Sequence, residues 1–241
     1  IRWKLQQSLD FDPGEKYVYS NFGYCILGHL VTCVTGQEYS EWVADNILKP
    51  RGMQDTRLGK TALPDRGKSE VRYHMQNMTT HAPFWESLRD DAQASSLVEA
   101  PYGRWDLEVM DSHGGWVSTA PDLLRFVAGL DAPEKPLLNT GLREVMLARP
   151  QLGGKTASDR VWYGCGWSIR SAGRGEGGLD QHNLWHAGAL AGTSTLLVRR
   201  WDGFSWAVLF NTDRSHNGER LSALVDSKMH GAVDSVSEWP L

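Results

Sequence analysis

The chain has 241 residues, of which 41% are hydrophobic and 22% charged, a composition typical of a globular protein that buries a core. Its 25 Lys and Arg against 29 Asp and Glu give a net charge of -4 without runs of like charge, which argues against a nucleic-acid partner. The longest apolar runs fall far short of the ~20 residues that span a bilayer, so we expect no membrane span. We expect a single domain over residues 1–241.

Two helices are predicted in the first part of the chain. Residues 12–15, Asp-Pro-Gly-Glu, form a turn that leads into a helix beginning near Phe22. Apolar side chains recur there at spacings of three and four up to Val34, and Gly36 suits the left-handed position that follows a helix. A second helix is predicted over Ser40–Leu48, where a proline and a glycine follow and end it.

The middle of the chain is less regular and then becomes helical again. Residues 53–110 mix single aromatic residues with polar stretches, and we expect them to form a lid or a wall of a cleft. Thr119 as N-cap, with Asp122 three residues later and a proline in the first turn, predicts a helix that runs to Leu130. Another helix is predicted over Thr140–Ala148.

The last part of the chain changes to a period of two, which indicates strands. Such runs cover Tyr163–Ile169, Thr193–Arg199 and Ser205–Asn211, and Trp201-Asp202-Gly203 is a hairpin signal between the last two. An amphipathic helix over Glu219–His230 would cover the resulting sheet. The chain is therefore predicted to be an α+β protein in which helices flank an antiparallel sheet.

The first candidate for chemistry is Tyr19-Ser20-Asn21, at the entrance to the first long helix. A phenol can pass a proton to or from a reacting group, and an amide two residues later can hold a substrate carbonyl. Taken alone, the tripeptide has a structural explanation as well, in which an asparagine caps the helix after a buried tyrosine.

The second candidate is Trp185-His186-Ala187-Gly188-Ala189, where small residues surround a histidine. Gly188 would let a substrate approach the backbone, and the N–H of Ala189 could donate to a developing oxyanion. His186 would face the cleft as a hydrogen-bond donor or partial cation. The structural alternative is a glycine-rich strand entry with a packed histidine.

Other motifs do not support a cofactor or a metal. His182 and His186 lie four residues apart, but no third ligand has a recognisable spacing and H-E-x-x-H is absent. The glycines within 173–178 match G-x-G-x-x-G, yet no helix is predicted to follow them for a pyrophosphate. Gly154-Lys155-Thr156 lacks the earlier glycine of a P-loop. We therefore expect neither a metal nor a cofactor.

Together, the motifs resemble those of class C β-lactamases, serine D-Ala-D-Ala carboxypeptidases and related esterases. Tyr19-Ser20-Asn21 is similar to the second motif of this family, Y-x-N, and His186-Ala187-Gly188 occupies the place of the third. The third motif is K-T-G in β-lactamases and often H-x-G in carboxypeptidases and esterases. Three further landmarks follow the family order, namely 48–53 (LKPRGM), 114–123 (GGWVSTAPDL) and 163–167 (YGCGW).

The resemblance implies a β-lactamase/transpeptidase-like fold and acyl-enzyme chemistry on a small-molecule or peptide substrate, without a metal. Tyr19 would then carry the proton to the leaving group, and Asn21 would hold the acyl side chain. His186 would assist charge at the tyrosine and the substrate. Gly188 and Ala189 would bind the substrate, with the Ala189 N–H as half of the oxyanion hole.

The sequence departs from the family in its first motif, S-x-x-K, which supplies the nucleophile and its lysine partner. No serine lies three residues before a lysine anywhere in the 241 residues. We expect an N-terminal segment of the same gene product to supply the missing strands and the nucleophile helix. Without it, the chain itself is expected to be inactive and to expose an apolar surface.

Three functional hypotheses remain open at this point. The resemblance favours carboxypeptidase or esterase action over β-lactam hydrolysis, because His186 replaces the lysine that would give a fixed cation. A binding or scaffold protein that keeps the fold without the chemistry is the alternative, and a metalloenzyme using His182 and His186 is a third. The resemblance also implies a bacterial periplasmic or secreted location.

Overall fold

The computed structural model describes residues 2–84, 97–152, 160–174 and 180–239. Helices precede a five-stranded antiparallel sheet and one long helix follows it, which confirms the predicted α+β class. Within these residues no helix is both long and apolar enough to cross a membrane.

The α-helices of the described residues are α1 (Arg2–Leu5), α2 (Asn21–Thr35), α3 (Tyr39–Val43), α4 (Ala120–Leu130), α5 (Thr140–Leu147) and α6 (Leu221–Asp234). The strands are β1 (Arg57–Leu58), β2 (Thr80–His81), β3 (Val98–Glu99), β4 (Trp116–Val117), β5 (Val161–Tyr163), β6 (Ser168–Arg174), β7 (Asp180–Leu190), β8 (Thr193–Arg199) and β9 (Ser205–Phe210). The main sheet has the order β5-β6-β7-β8-β9, so each strand pairs with its neighbours in sequence.

Local signals define both ends of α2. The Ser20 side chain accepts a hydrogen bond from the Gly23 N–H at 3.0 Å and caps the helix. Gly36 adopts φ 71°, and its N–H donates to the Thr32 carbonyl at 2.9 Å. The predicted start and the C-terminal glycine are confirmed. The sequence could predict them because both depend on neighbouring residues only.

The second predicted helix is less regular than expected. α3 continues into a π-helical turn over Ala44–Leu48 and a 3-10 turn over Lys49–Arg51. Pro50 has no N–H to donate and Gly52 adopts φ 65°, so the chain leaves the helix where the sequence indicates.

Asp122 anchors the start of α4. The Thr119 side chain caps the helix by accepting from the Asp122 N–H at 3.3 Å, as the sequence predicts. The fully buried Asp122 carboxylate accepts from the Asp55 N–H at 2.9 Å, from the Thr56 hydroxyl at 2.9 Å and from Arg125 at 2.6 Å. These bonds attach α4 to the segment that follows the first helices.

One predicted strand is in fact two strands and a tight turn. Tyr163 ends β5 and Ser168 begins β6, so the prediction of one strand over 163–169 is wrong. Gly166 adopts φ 85°, and the Gly164 N–H donates to the Trp167 carbonyl at 2.8 Å, which closes the turn. The glycines of this motif therefore serve to reverse the chain.

The sheet is covered on both faces by apolar side chains. Alternate residues of β8 are buried, because the face of β8 towards α6 is packed more closely than the opposite face. One core packs α4 and α5 against the sheet through Val127, Leu130, Met146, Trp167, Ile169 and Leu184. The other packs α6 against the opposite face through Leu196, Val198, Trp206, Val225, Met229 and Val233. The predicted covering role of the last helix is confirmed, although it runs four residues further.

The irregular middle segment attaches to the end of β9. The His74 N–H donates to the Asn211 carbonyl at 2.8 Å, and the Asn211 amide donates to the Arg72 carbonyl at 2.8 Å. Arg66 and Glu70 form an ion pair of 3.0 Å in which both side chains are nearly inaccessible. The role of this middle segment as a lid or a cleft wall stays a prediction.

One face of α2 carries apolar side chains into solvent. Leu27, Leu30 and Val34 are spaced by three and four residues and are 51%, 54% and 76% exposed. Gly28, between them in sequence, is buried against Ser112, where a Cβ atom would clash. The helix therefore packs through one side and leaves an apolar stripe, Leu27, Leu30 and Val34, on the other.

Candidate active site

A group of aromatic rings meets where the segment before α2 reaches the main sheet. The Tyr19 ring centroid lies 6.4 Å from that of His186 and 6.0 Å from that of Tyr163. Tyr163 also contacts Tyr17 at 5.6 Å and His186 at 5.9 Å. Tyr24 lies close enough to Tyr163 to raise its pKa. We call these five residues the tyrosine–histidine cluster.

The register of the sheet brings the end of β5 close to the middle of β7. Tyr163 pairs with Ser168, and Ser168 pairs in turn with Trp185 on β7. Among the described residues, Ser168 with Trp185 is the pair of β6 and β7 at the start of β6. His186 is the next residue of β7 and therefore lies just beyond the start of β6. Alternation along β7 places His186 on the same face as buried Leu184, the face that α4 and α5 cover.

Burial keeps the histidine of the cluster neutral and Tyr163 protonated. The Tyr163 hydroxyl lies 3.0 Å from Nε2 of His186. Burial lowers the pKa of His186, against a backbone hydrogen bond with Ala187 that raises it. Burial raises the pKa of Tyr163, and the neighbouring Tyr24 raises it further. Near neutral pH the site therefore holds an uncharged imidazole beside a protonated phenol.

Tyr19, Ser20 and Asn21 of the first motif differ in exposure and in their role at the start of α2. Tyr19 is 52% exposed, so it is not the buried tyrosine of the structural alternative. Asn21 is the first residue of α2 and is exposed, while Ser20 caps the helix. The interpretation of Asn21 as the cap is therefore wrong. The structure brings Tyr19 and His186 together, with Asn21 two residues further along the chain.

Gly188 and Ala189 lie on the part of β7 that extends past β6. Gly188 pairs with Thr195 of β8, and Ala189 pairs with Ser194. A Cβ atom on Gly188 would come within 2.5 Å of the Thr195 hydroxyl oxygen. The close neighbour that requires a glycine is thus a side chain of the protein itself. Ala189 is exposed at the open edge, and its predicted role in an oxyanion hole stays a prediction.

Sequence reasoning assigned no role to three polar groups beside the predicted residues. They are the hydroxyls of Tyr24, Tyr163 and Thr195. Tyr24 and Tyr163 each lie within a segment that carried the family resemblance, and that was the available signal. The contact of Thr195 with Gly188 depends on strand register, which no local feature of the sequence indicates.

The two histidines considered as metal ligands have different surroundings. The His182 ring packs edge-on against Trp162, with 5.4 Å between ring centroids. His186 is hydrogen-bonded to Tyr163 instead. In the described ranges no group of three or more His, Cys, Asp or Glu side chains is placed to hold a metal ion.

A family model and a curated relative both match most of the chain. A family model described as Beta-lactamase matches residues 2–228. Penicillin-binding protein 4* of Bacillus subtilis is 23% identical over 221 residues, which cover 91% of this chain and 45% of that protein. The chain thus spans about half the length of this relative.

Solved structures share the fold at low identity. The D-amino acid amidase of Ochrobactrum anthropi complexed with D-phenylalanine superposes with a TM-score of 0.64 at 20% identity, covering 98% of this chain and 63% of that one. The beta-lactamase/D-alanine carboxypeptidase of Yersinia pestis gives a TM-score of 0.63 at 20% identity, covering 96% and 60%.

Proposed function

Because the chain belongs to the beta-lactamase family, we propose that it is part of a serine hydrolase that cleaves amide or ester bonds through an acyl-enzyme. The observation that carries this proposal is the approach of Tyr19 to His186, with 6.4 Å between ring centroids, at the N-terminus of α2. The names of the relatives, a carboxypeptidase and an amidase among them, are compatible with such chemistry.

Tyr19 is proposed to transfer the proton in both halves of the reaction. The serine oxygen attacks the carbonyl carbon, and the serine proton passes to the Tyr19 oxygen, which must enter this step as the phenolate. When the tetrahedral intermediate collapses, the leaving amine or alkoxide takes that proton, and the acyl group stays on the serine. Water then attacks the ester, and the reverse transfers regenerate the enzyme. The half-exposed position of Tyr19 suits a group that meets substrate.

His186 is proposed to act as a neutral group in this reaction. Burial lowers its pKa, so it offers a hydrogen bond rather than a fixed positive charge at neutral pH. A β-lactam carboxylate would be held poorly by a neutral ring, whereas an ester or an amide without a carboxylate needs no such charge in that place. This supports esterase-like action ahead of β-lactam hydrolysis, and carboxypeptidase-like action would require another group to hold the terminal carboxylate of the peptide.

The remaining predicted residues are proposed to hold the acyl donor. Asn21, exposed at the first turn of α2, would bind the acyl side chain through its amide. Gly188 and Ala189 lie beyond the last pair of β6 and β7 in the described residues, where a backbone N–H on the unpaired side of β7 can reach a substrate oxyanion.

The nucleophile is proposed to come from a segment of the same gene product outside the 241 residues. Two observations support this: no S-x-x-K occurs in the sequence, and the chain spans 45% of the Bacillus subtilis relative. The apolar stripe of α2 would be the surface that this segment covers. If the coding sequence upstream also lacks S-x-x-K, the alternative of a non-catalytic scaffold or binding protein is favoured.

Acylation by a penicillin or a p-nitrophenyl ester, followed by intact-mass spectrometry, tests the proposal. We expect no serine adduct on the 241-residue chain, where Ser20 already caps α2. A form that restores S-x-x-K should acquire one adduct, and replacing its motif serine by alanine should abolish it. An adduct on any serine of the present sequence, or a full-length form with S-x-x-K that never reacts, would contradict the proposal.

A further inference from the structure

We propose that a groove beside the β8–β9 hairpin is a second binding site, for a small carboxylate that carries an apolar group. The groove has a volume of about 560 Å³ and lies between α4 and the hairpin. Its lining includes Leu124 of α4, Asp131 at the end of that helix, Arg199 of β8 and Trp201 of the hairpin. None of these residues belongs to the tyrosine–histidine cluster, and the site takes part in no step of the proposed acyl transfer.

Arg199 brings a guanidinium with an unused pair of donors to the groove. Its Nε lies 2.7 Å from Oδ2 of Asp131, and its Nη2 lies 2.9 Å from Oδ1. This pairing occupies one edge of the planar group. Among the described residues Asp131 is its acceptor, so the other edge, formed by Nη1 and the second N–H of Nη2, has no protein partner. Two parallel N–H groups of this kind match the two oxygens of a carboxylate.

The charges around Asp131 also favour an anion. Nη2 of Arg143 lies 2.8 Å from Oδ1 of Asp131, so two guanidinium groups surround one carboxylate and leave one positive charge in excess. Arg143 also donates to the Leu130 carbonyl at 3.3 Å and so offsets the negative end of α4. The Arg199 side chain is only 13% exposed, so a bound anion would meet its charge with little competition from water.

Other residues that line the groove are apolar and partly exposed. Trp201 is 43% exposed and Leu124 is 37% exposed. An indole face and a leucine side chain would cover a flat apolar group of a ligand, whereas a bare anion would leave both in water. An apolar surface beside a few convergent polar groups is typical of a small-molecule site.

The groove is separated from the tyrosine–histidine cluster by the core. Arg199 pairs with Leu184 of β7, and His186 pairs with Leu197 of β8. Leu184 is 2% exposed and packs in the core under α4 and α5. Because Leu184 precedes His186 by two residues, it lies between Arg199 and His186 on the same face of the sheet. A ligand in the groove would therefore not occupy the place of the acyl donor.

Titration of the 241-residue protein, labelled with 5-fluorotryptophan, with phenylacetate tests the proposal by ¹⁹F NMR. We expect the Trp201 signal, assigned by its loss in Trp201→Phe, to shift. The dissociation constant should be millimolar, as suits a ligand of about ten heavy atoms. Phenylacetamide replaces the carboxylate by a neutral amide, and inorganic phosphate lacks the apolar group. Each should bind at least about tenfold more weakly than phenylacetate.

Arg199→Lys keeps the positive charge but removes the planar pair of donors. It should weaken phenylacetate binding about tenfold and leave phenylacetamide binding unchanged. The signal of Trp105, assigned by its loss in Trp105→Phe, is the internal control and should not move. Trp105 is also 43% exposed and lies beside an arginine, with 5.5 Å between the Arg104 guanidinium and the centre of its ring.

Three results would overturn the inference. They are equal affinity for phenylacetate and phenylacetamide, a Trp105 shift with the same midpoint as that of Trp201, and unchanged phenylacetate binding in a folded Arg199→Lys protein. If Arg199→Lys does not fold, the comparison of the three probes on the parent protein decides. Because the measurement needs no acylation, its result is independent of whether a full-length form is a serine hydrolase.

Discussion

The Tyr163 hydroxyl lies 3.0 Å from Nε2 of His186, so the end of β5 and the middle of β7 meet through side chains. Strand β6 lies between β5 and β7 in the sheet. It begins at Ser168, which pairs with Trp185 of β7. The first residue of β7 past that pair is thus open to a side chain from β5. The same opening admits Tyr19 from the segment before α2.

Removing the Tyr19 hydroxyl should affect catalysis far more than folding. In a form that restores S-x-x-K, Tyr19→Phe should lower turnover by roughly two to four orders of magnitude, the usual effect of losing a proton-transfer group. Because Tyr19 is half exposed, the thermal unfolding of the Tyr19→Phe protein should barely differ from that of the parent. Steady-state kinetics with an ester substrate measures the effect, and Tyr17→Phe is the matched control. Turnover within a few-fold of the parent would remove Tyr19 from the mechanism.

Adding a methyl group at Gly188 should destabilise the sheet. In Gly188→Ala the new Cβ would lie 2.5 Å from the Thr195 hydroxyl oxygen, so the Thr195 side chain or one of the strands β7 and β8 must shift. We expect the free energy of unfolding to fall by about 1–3 kcal/mol, measured by urea titration. The added change Thr195→Ala should recover part of this loss. Gly231→Ala in α6 has open space around it and should be neutral or stabilising, while equal losses at both glycines would contradict the explanation.

Asp122 should make the protein sensitive to acid. Burial alone would raise its pKa, but hydrogen bonds from Thr56, the Asp55 N–H and Arg125 outweigh burial and lower it. A carboxylate with a lowered folded-state pKa stabilises fully above its unfolded value of about 4, and this stabilisation is lost as the pH falls through the folded-state pKa. Asp122→Asn should lower the free energy of unfolding by about 1.5–3 kcal/mol at neutral pH.

The pH dependence separates this effect from a simple loss of packing. The difference in unfolding free energy between Asp122→Asn and the parent should shrink as the pH is lowered below about 4, because the parent then loses its charge as well. Asp45→Asn, which removes an exposed carboxylate paired with Lys49, is the control and should cost much less. A difference that stays constant over the whole range would count against the charged hydrogen bonds as its source.

The apolar stripe of α2 should govern association of the chain. Leu27, Leu30 and Val34 are more than half exposed on one face, so we expect the 241-residue protein to self-associate and to bind an apolar dye. Changing all three to lysine or glutamate should reduce self-association, measured by sedimentation, and dye binding, measured by fluorescence. The same changes at Leu142 and Val145 of α5, also exposed, should have a smaller effect.

Experiments on full-length protein distinguish a docking surface on α2 from nonspecific apolar association. If the segment that carries S-x-x-K covers α2, the charged α2 variant should lose stability and acylation there, whereas the α5 variant should keep both. A monomeric 241-residue chain that binds no dye and unfolds cooperatively would show that the stripe needs no partner.

The sequence alone determined those features that depend on neighbouring residues. The start of α4 follows from Thr119 and Asp122, the end of α2 from Gly36, and the hairpin between β8 and β9 from Trp201-Asp202-Gly203. Capping, turn chemistry and apolar period act within one or two turns of chain, so they can be read without knowing the fold. The motifs that led to the family are also short segments.

Only the tertiary structure decided which side chains meet. Nothing near Tyr163 in sequence shows that its hydroxyl reaches His186, because that contact depends on the turn over 164–167 and on where β6 stops pairing with β7. The need for glycine at 188 likewise comes from Thr195 on the next strand. A shift of register by one residue would turn each of these side chains to the other face of the sheet, so their contacts are fixed by strand pairing and core packing.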